Sequence, residues 1–318
     1  MNGQLGNGTT SDRLTPVDVV GLTSDVEKMQ SGISHTCAIT RIGALKCWGA
    51  NGGGQLGDGT TTNRSTPVDV LGLDSGVKAV AVSSGHTCAV TSAGGVKCWG
   101  ANGDGKLGIG SNDPNFNSSV PVDVIGPGSG VTEVVSGYNF TCALRQDVWR
   151  FGEPGVVCWG FNQHGFLGDN TRQKQSTPQN VALPGAVRSI AVVGSYSAST
   201  GNNLVPCALL YSGVVMCWGG QYGLTPQVAA IDPARFSQGS PIGPDWPYPV
   251  CNMNDCNHWL HQCRVTPAGD VQCWGANGSG QLGDGSTTYS QTPVDVIGFG
   301  VEGPLLTPTP THHHAAIK

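Results

Sequence analysis

The chain has 318 residues, including 49 glycines and 20 prolines, and only 12% of its residues are charged. Long helices need many Ala, Leu, Glu and Lys residues, whereas this composition is typical of short strands joined by many turns. The net charge of −5 argues against a nucleic-acid surface, which needs clustered Lys and Arg, and the sequence has no run of about 18 apolar residues that would predict a membrane span.

The first residues of the chain already lie inside a repeated pattern. Met1 is followed by NGQLGNGTT, and the segment LTPVDVVG follows at residues 14–21. Similar segments recur later, each time behind a hairpin with two cysteines. We therefore expect the natural N-terminus, with any secretory leader, to lie outside this sequence.

The second copy of the repeat shows one complete unit. Its β-branched residues predict strands at VKAVAVSSG (77–85), TCAVT (87–91) and VKCWG (96–100), and a fourth strand near VPVDVIG (120–126). SAGG is a tight turn, and ANGDGKLGIG is a glycine-rich loop before the fourth strand. Four antiparallel strands, repeated every 51 to 60 residues, predict an all-β chain folded as a β-propeller, in which neighbouring blades bury each other's apolar faces.

The number of repeats does not decide whether the blades form a closed ring. The outer-strand sequence TPVDV occurs both before the first hairpin and after the last, within residues 14–21 and 291–298. The chain is therefore either a ring closed by its two ends or, as we favour, a fragment of a longer ring. We predict one domain of five to seven blades over residues 1–306, with an insert at about 231–262 in the fourth repeat and an unstructured tail at 307–318. The five copies of Cys-Trp-Gly begin at Cys47, Cys98, Cys158, Cys217 and Cys273.

Ten of the twelve cysteines lie in the five hairpins. Residues equidistant from a hairpin turn face each other, and the midpoint between Cys88 and Cys98 is Ala93, inside the SAGG turn. A zinc site needs four converging ligands, and a redox site commonly uses C-x-x-C, which the sequence lacks. We interpret the pairs as structural disulfides, with bound metal or free thiols as the alternatives. The predicted pairs are Cys37–Cys47, Cys88–Cys98, Cys142–Cys158, Cys207–Cys217 and Cys263–Cys273.

The last two cysteines, Cys251 and Cys256, form the pattern C-x4-C-x-H-x2-H with His258 and His261. This spacing matches no common zinc finger. We interpret the two cysteines as a sixth disulfide that closes an inserted loop, and a zinc site is the alternative.

Other residues recur at fixed places in the repeat. Tryptophans that follow the second cysteine point to the opposite face of the strand, and we interpret them as core between blades. His35 and His86 precede Thr-Cys and are predicted to form hydrogen bonds in the blade packing, while the aspartate of PVDV is expected to cap local structure. The glycine-rich loops lack the EF-hand pattern, so turn formation explains their Asn and Asp residues better than calcium binding does. These tryptophans are Trp48, Trp99, Trp159, Trp218 and Trp274, and the aspartates are Asp18, Asp69, Asp123 and Asp295.

The quoted motifs together resemble a known repeat. GHTCA (85–89), CWGANGGGQLGDG (47–59) and CWGANGSGQLGDG (273–285) are similar to the repeat of the regulator of chromosome condensation family, and CWGFNQHGFLGDN and CWGGQYG are weaker copies. The resemblance implies a propeller, usually seven-bladed, that most members use as a protein-binding surface. The variant with paired cysteines resembles secreted or surface members from bacteria. None of the family's functional residues carries over to this sequence.

Catalytic signatures are missing from the sequence: it has no GxSxG elbow, HExxH motif or Walker loop, so we expect neither an enzyme nor a cofactor. Function is expected where the repeat breaks, because binding loops often project from a rigid frame. The breaks are RQDVWRFGEPG in the third hairpin, YSASTGNNLVP before Cys207, and the Pro- and aromatic-rich segment 231–261. The candidate binding residues are Trp149, Arg150, Trp246, Tyr248 and Trp259, and the alternative is that they only pack their own loops.

The sequence thus predicts a disulfide-stapled, non-catalytic binding propeller in the extracellular space or at the cell surface. Its expected partner is another protein or a cell-surface component, with no nucleic acid and no membrane span. A glycan-binding or glycan-acting propeller that uses the aromatic insert is the alternative from another class. A structural module of a larger surface protein is a further alternative.

Overall fold

A computed structural model describes residues 2–298, except 23, 112, 114–115, 127–128, 147–154, 194–195, 198–200, 203, 232–260 and 267–269. Within these residues the chain forms four four-stranded antiparallel sheets, one three-stranded sheet and one short two-stranded hairpin. In each four-stranded sheet the strand order follows the chain, as in the blade of a propeller. The predicted all-β propeller class is therefore confirmed.

Each blade occupies one stretch of the chain. Blade 1 consists of β1 (Val26–Ser31), β2 (His35–Thr40), β3 (Leu45–Gly49) and β4 (Arg64–Asp69). Blade 2 consists of β5 (Val77–Val82), β6 (His86–Thr91), β7 (Val96–Gly100) and β8 (Ser118–Asp123). Blade 3 consists of β9 (Val131–Ser136), β10 (Phe140–Arg145), β11 (Gly155–Gly160) and β12 (Gln175–Asn180).

The last two blades are less regular. Blade 4 consists of β13 (Val187–Val193), β16 (Val205–Leu210), β17 (Val215–Cys217) and β18 (Gln227–Val228). The short hairpin of β14 (Tyr196–Ser197) and β15 (Gly201–Asn202) lies between its first two strands. Blade 5 consists of β19 (His261–Val265), β20 (Val271–Gly275) and β21 (Ser290–Asp295).

The position of a strand within its blade determines its burial. The second strands β2 and β16 are buried along their whole length, because neighbouring blades cover both faces. The first strands β1, β5, β9 and β13 contact one another in sequence, so they line the inside of the array. The fourth strands form the outer edge and are largely half-buried or exposed.

Each outer strand of blades 1, 2, 3 and 5 contains a proline at the same place. Proline has no backbone N–H, so it fits an edge strand, where no further strand requires that donor. The outer strands thus offer an incomplete row of hydrogen-bond donors to a foreign strand. These prolines are Pro67, Pro121, Pro178 and Pro293.

Two faces of the array carry the connections. We call the face with the turns between first and second strands, at residues 32–34, 83–85 and 137–139, the upper face. The glycine-rich loops between third and fourth strands lie on the same face. The lower face carries the turns between second and third strands, such as residues 41–44 and 92–95.

Candidate functional site

Every blade contains one disulfide in its central hairpin. The paired cysteines lie directly opposite each other in the register of the second and third strands, with Cα atoms 4.0–4.1 Å apart. The third hairpin keeps this register, although its cysteines are 16 rather than 10 positions apart. The bonds are Cys37–Cys47, Cys88–Cys98, Cys142–Cys158, Cys207–Cys217 and Cys263–Cys273. Cys251, Cys256 and His258 lie outside the described residues.

The repeated tryptophans lock each blade to the blade before it. The Trp99 indole is fully buried, and its Nε1–H donates to the carbonyl of Gln55, in the glycine-rich loop of blade 1, at 2.9 Å. The same bond joins Trp48 to the carbonyl of Gln4, Trp159 to that of Lys106 and Trp218 to that of Phe166. Trp274 of blade 5 is also buried. The acceptor is always the residue before the leucine of the G-x-L-G motif, which sequence reasoning missed although the motif repeats visibly.

A histidine–threonine belt crosses the same blade interfaces. His35 Nε2 lies 2.8 Å from Thr87 Oγ1, and His86 Nε2 lies 2.9 Å from Thr141 Oγ1. Thr87 donates its only hydroxyl proton to the Gln55 carbonyl, so its oxygen accepts from a protonated Nε2 of His35. The predicted role of both histidines as hydrogen-bonding groups in blade packing is confirmed.

Burial keeps the belt histidines neutral. Desolvation lowers the pKa of His35 to about 3. The pKa of His86 also lies well below its usual value, through burial first and then through the charges of Lys106 and His35. Lys106 is itself buried, which lowers its pKa, and its Nζ donates to Asn139 Oδ1 at 2.8 Å. These groups are occupied in the packing of the frame and are closed to solvent.

A buried asparagine organises the glycine-rich loops of blades 1, 2, 3 and 5. Asn51 Oδ1 accepts from the Leu56 amide at 2.9 Å, and its Nδ2 donates to Asp58 Oδ1 and to the Thr60 carbonyl. Burial raises the pKa of Asp58, but hydrogen bonds from Thr60, Arg64 and Asn51 outweigh it and leave the pKa below its usual value. Equivalent loops form around Asn102, Asn162 and Asn277.

The polar side chains of these loops thus form hydrogen bonds with one another and with the loop backbone. This agrees with the interpretation of the loops as turns. No group of three or more metal-ligating side chains occurs among the described residues.

Three of the four PVDV aspartates contact the neighbouring strand and do not cap local structure, so the capping prediction was wrong for Asp69, Asp123 and Asp295. Asp69 pairs with Lys46 across the edge of blade 1, and Asp123 Oδ1 accepts from Lys97 Nζ at 2.7 Å in blade 2. In blade 5 the Gln272 amide donates to Asp295 Oδ1 at 2.9 Å. The third and fourth strands place these residues side by side, a cross-strand relation that the local pattern PVDV does not reveal.

His261 occupies a repeat position. It lies opposite Gly275, as His35 lies opposite Gly49 and His86 opposite Gly100. The pattern C-x4-C-x-H-x2-H instead groups this histidine with a possible zinc cluster in the inserted loop. In β19, His261 holds the position that His35 holds in β2 and His86 holds in β6.

The candidate binding residues lie outside the described residues. They are Trp149, Arg150, Trp246, Tyr248 and Trp259. The strands that flank the first two are described: β10 ends at Arg145 and β11 begins at Gly155, both on the lower face. The lower face also carries exposed apolar side chains at the hairpin tips of other blades, including Ile42 and Tyr211, which are 76% and 67% exposed.

No helix among the described residues is long and apolar enough to cross a membrane.

These blades define a class of protein: a β-propeller of disulfide-stapled, four-stranded blades that interlock through tryptophan–carbonyl bonds. The sequence profile of the regulator of chromosome condensation (RCC1) repeat matches residues 1–39, 43–90, 93–144 and 155–200. These matches cover more than half of the chain, so the chain belongs to the RCC1 repeat family.

Known relatives share the repeats over nearly the whole chain. The ultraviolet-B receptor UVR8 of Arabidopsis thaliana is 27% identical over 93% of this chain, and the human E3 ubiquitin-protein ligase HERC2 is 30% identical over 96%. The alignments span 63% of UVR8 and 6% of HERC2, so the chain corresponds to only part of either protein.

Solved structures support the same fold. Human WBSCR16 is 22% identical with a TM-score of 0.55, and the match covers 88% of this chain and 70% of that protein. Yeast RCC1 (Prp20), bound to Kap60, is 17% identical with a TM-score of 0.52, and the match covers 85% of this chain and 61% of the yeast protein. At these identities the likeness establishes the propeller fold alone.

Proposed function

We propose that the chain is a non-catalytic binding propeller that works outside the cell and holds a protein partner through loops on its lower face. The observation that carries this proposal is the contrast between the repeated blades, whose polar side chains contact one another, and the loops that depart from the repeat. The histidines and the buried lysine form hydrogen bonds between blades, and the loop asparagines hold their own loops in shape. The third hairpin departs from the frame, because nine residues separate β10 from β11 where the first two hairpins have only four.

The extracellular location rests on the five disulfides. Paired cysteines persist in oxidising compartments and are rare in the cytosol. Protein binding is also consistent with the family, since yeast RCC1 is seen in a complex with Kap60. The partner of this chain is expected to differ, because none of the functional residues of the family carries over.

The test is a pull-down from culture medium and from solubilised cell surfaces with the full chain as bait. Replacing Trp149 or Trp246 by alanine should abolish capture of the partner, because large buried aromatics dominate the energy of most interfaces. Tyr289→Ala is the control, since Tyr289 is an exposed aromatic side chain in the loop before β21, on the upper face. Equal capture by the parent and both tryptophan variants would refute the proposal. Binding to a glycan array without any protein partner would favour a glycan-binding function. The aromatic residues of the insert are the reason for this alternative.

A further inference from the structure

The glycine-rich loops of blades 1, 2 and 3 dock on the following blade through one repeated pair of hydrogen bonds. In the loop of blade 1 the Gln55 carbonyl accepts from the Trp99 indole, and the Gly59 amide donates to the Ser119 carbonyl of the next outer strand at 3.0 Å. The N-terminal segment, residues 2–20, docks on blade 1 in the same way. The second bond of the pair recurs from Gly8 to Ser65, from Gly110 to Ser176 and from Asn170 to Leu224.

The corresponding connection of blade 4 is too short to form such a loop. Residues 50–63 connect β3 to β4 in blade 1, whereas only residues 218–226 connect β17 to β18 in blade 4. The short connection contains a 3₁₀ turn at Gly220–Tyr222 and lacks the asparagine that organises the other loops. Among the described residues, blade 5 therefore receives no loop from blade 4.

The groups of blade 5 that would receive a loop are open. No described residue accepts from the Trp274 indole, and Trp274 is 6% exposed whereas Trp99 is 0% exposed. Residues 291–293 of the outer strand β21 are exposed, although the equivalent residues 65–67 of β4 are half-buried. No described loop amide donates to the carbonyl of Gln291, which is the counterpart of Ser119.

The packing of apolar side chains differs at the same place. Buried clusters that include Trp99, Trp159 and Trp218 each join two successive blades. The buried cluster around Leu282 instead contains residues of blade 5 alone among those described. The upper face thus has a groove on the side of blade 5 that faces blade 4, and a largely buried indole N–H without an acceptor lies in it.

We propose that this groove binds a turn of a partner protein with the sequence pattern x-Leu-Gly-x-Gly. The docked loops specify this occupant. The carbonyl of its first residue accepts from the Trp274 indole, and the amide of its last glycine donates to the Gln291 carbonyl. Leucine is required because Leu56 is fully buried in the docked loop, and glycine follows because a Cβ at Gly57 would lie 2.7 Å from Nε1 of Trp99. This groove lies apart from the lower-face loops, so the inference goes beyond the proposed function.

The first experiment measures whether the Trp274 indole has an acceptor in the chain by itself. Trp274→Phe keeps an aromatic ring but removes the N–H, and it should change the Tm by less than about 1 °C. Trp218→Phe is the matched control, because the Trp218 indole donates to the Phe166 carbonyl at 3.0 Å. This control should lower the Tm by at least about 2 °C, since it leaves a buried carbonyl unpaired. Equal losses of Tm would overturn the proposal, because Trp274 would then already have a partner.

The second experiment titrates the full chain with a fluorescent peptide of residues 50–63, ANGGGQLGDGTTTN. Saturable one-to-one binding is expected. Trp274→Phe should weaken it about fivefold through the lost hydrogen bond, and Trp218→Phe should bind like the parent. A peptide with Gly57→Ala should bind at least about tenfold more weakly, because its Cβ would meet the indole. No binding of the parent peptide, or equal binding by the chain with Trp274→Phe, would contradict the proposal.

A loop graft locates the peptide on the molecule. Replacing residues 220–224 by residues 50–65 gives blade 4 the loop of blade 1, which should fill the groove, raise the Tm and prevent peptide binding. The same graft with Gly57→Ala should leave the groove open to the peptide. Trp149→Ala, which tests the lower-face loops, should not change peptide binding, so the two proposals can fail separately. Unchanged peptide binding to the unmodified graft would refute the groove as the site.

Discussion

Three equivalent residues at the start of the second strands show how one position adapts to its neighbour. Blades 1 and 2 place His35 and His86 there, while blade 3 places Phe140. The ring of Phe140 fills the space beside Gly137, where a Cβ would lie 2.1 Å from the ring. In blade 2 the residue equivalent to Gly137 is Ser83, whose hydroxyl instead lies 2.6 Å from His86 Nδ1. Blades 2 and 3 thus pair histidine with serine and phenylalanine with glycine, whereas blade 1 combines His35 with Gly32 and leaves His35 Nδ1 without a hydrogen-bond partner.

We predict that His86→Phe is destabilising unless Ser83 is changed with it. The single variant should lose about 2–3 kcal/mol of unfolding free energy, because it removes two hydrogen bonds and forces the ring against the Ser83 side chain. Adding Ser83→Gly should restore at least about 1 kcal/mol by giving the ring the room it has in blade 3. Urea unfolding with intact disulfides measures both values. Strictly additive losses in the double variant would contradict this account.

The neutral belt predicts a loss of stability in acid. The unfolded chain protonates His35 near the ordinary pKa of about 6.5, whereas the folded chain resists protonation until the pH reaches about 3. As the pH falls from about 6.5 towards 3, the unfolded state gains up to about 1.4 kcal/mol per pH unit from this histidine. His35→Phe should reduce the slope of unfolding free energy against pH between 6.5 and 4.5. His164→Gln, which changes an exposed histidine, is the control and should keep the parent slope.

At the scale of elements, the glycine-rich loops and outer strands repeat one design with local exceptions. In three loops the buried asparagine donates to an aspartate seven positions later: Asp58, Asp169 or Asp284. The loop of blade 2 has Ile109 at this place, and Asn102 donates to the Ser111 carbonyl instead. The same loop shape thus forms with and without a carboxylate.

This difference yields a prediction with a built-in control. Asn51→Asp places a second carboxylate beside Asp58 in a largely buried site and should cost roughly 2–4 kcal/mol of unfolding free energy at pH 7. Asn102→Asp makes the same chemical change without a facing carboxylate and should cost less. The gap between the two variants should narrow at pH 4, where a carboxylate of the crowded pair accepts a proton. Denaturant unfolding at both pH values provides the measurement, and equal costs at pH 7 would speak against carboxylate repulsion.

The elements themselves followed well from the sequence. The predicted hairpin over residues 87–100 is present, because β-branched runs and a tight turn specify it locally. The first strand of blade 2 ends at Val82 rather than Gly85, since Ser83 begins the turn to β6. The outer strand begins at Ser118 and ends at Asp123, earlier than the predicted 120–126, because its register is set by pairing with β7.

At the scale of the whole molecule, the two ends of the array meet. The N-terminal segment contacts blade 1 through the Gln4 carbonyl and blade 5 through the Leu14 carbonyl. The contact joins residues that lie far apart in the chain. We therefore expect the contact to be weakened by a side chain introduced at Gly280, which faces Arg13 and Leu14.

Gly280→Ala is expected to open this contact. Gly280 has a positive φ of +78°, and an added Cβ would meet the Arg13 carbonyl oxygen at 2.6 Å. The variant should lose about 2 kcal/mol of unfolding free energy and show faster hydrogen exchange within residues 2–20. Gly278→Ala is the control, because nothing lies within 4 Å of its Cβ position, and it should change stability by less than about 0.5 kcal/mol. Unchanged exchange in residues 2–20 of Gly280→Ala would show that the contact does not depend on this glycine.

The sequence by itself determined the features that depend on short separations along the chain. The strands, the turns and the facing of cysteines such as Cys88 and Cys98 follow from local spacing, because a hairpin brings together residues equidistant from its turn. The repeat likewise determined the propeller class.

Only the tertiary structure decided the contacts between blades. The acceptor of Trp99, the partner of Asp69 and the meeting of Leu14 with Gly285 join residues on different strands or blades. The last of these depends on the accumulated rotation of every blade between the two ends, which no local pattern records. The neutral state of His35 has the same origin, since its burial is produced by two blades packed face to face.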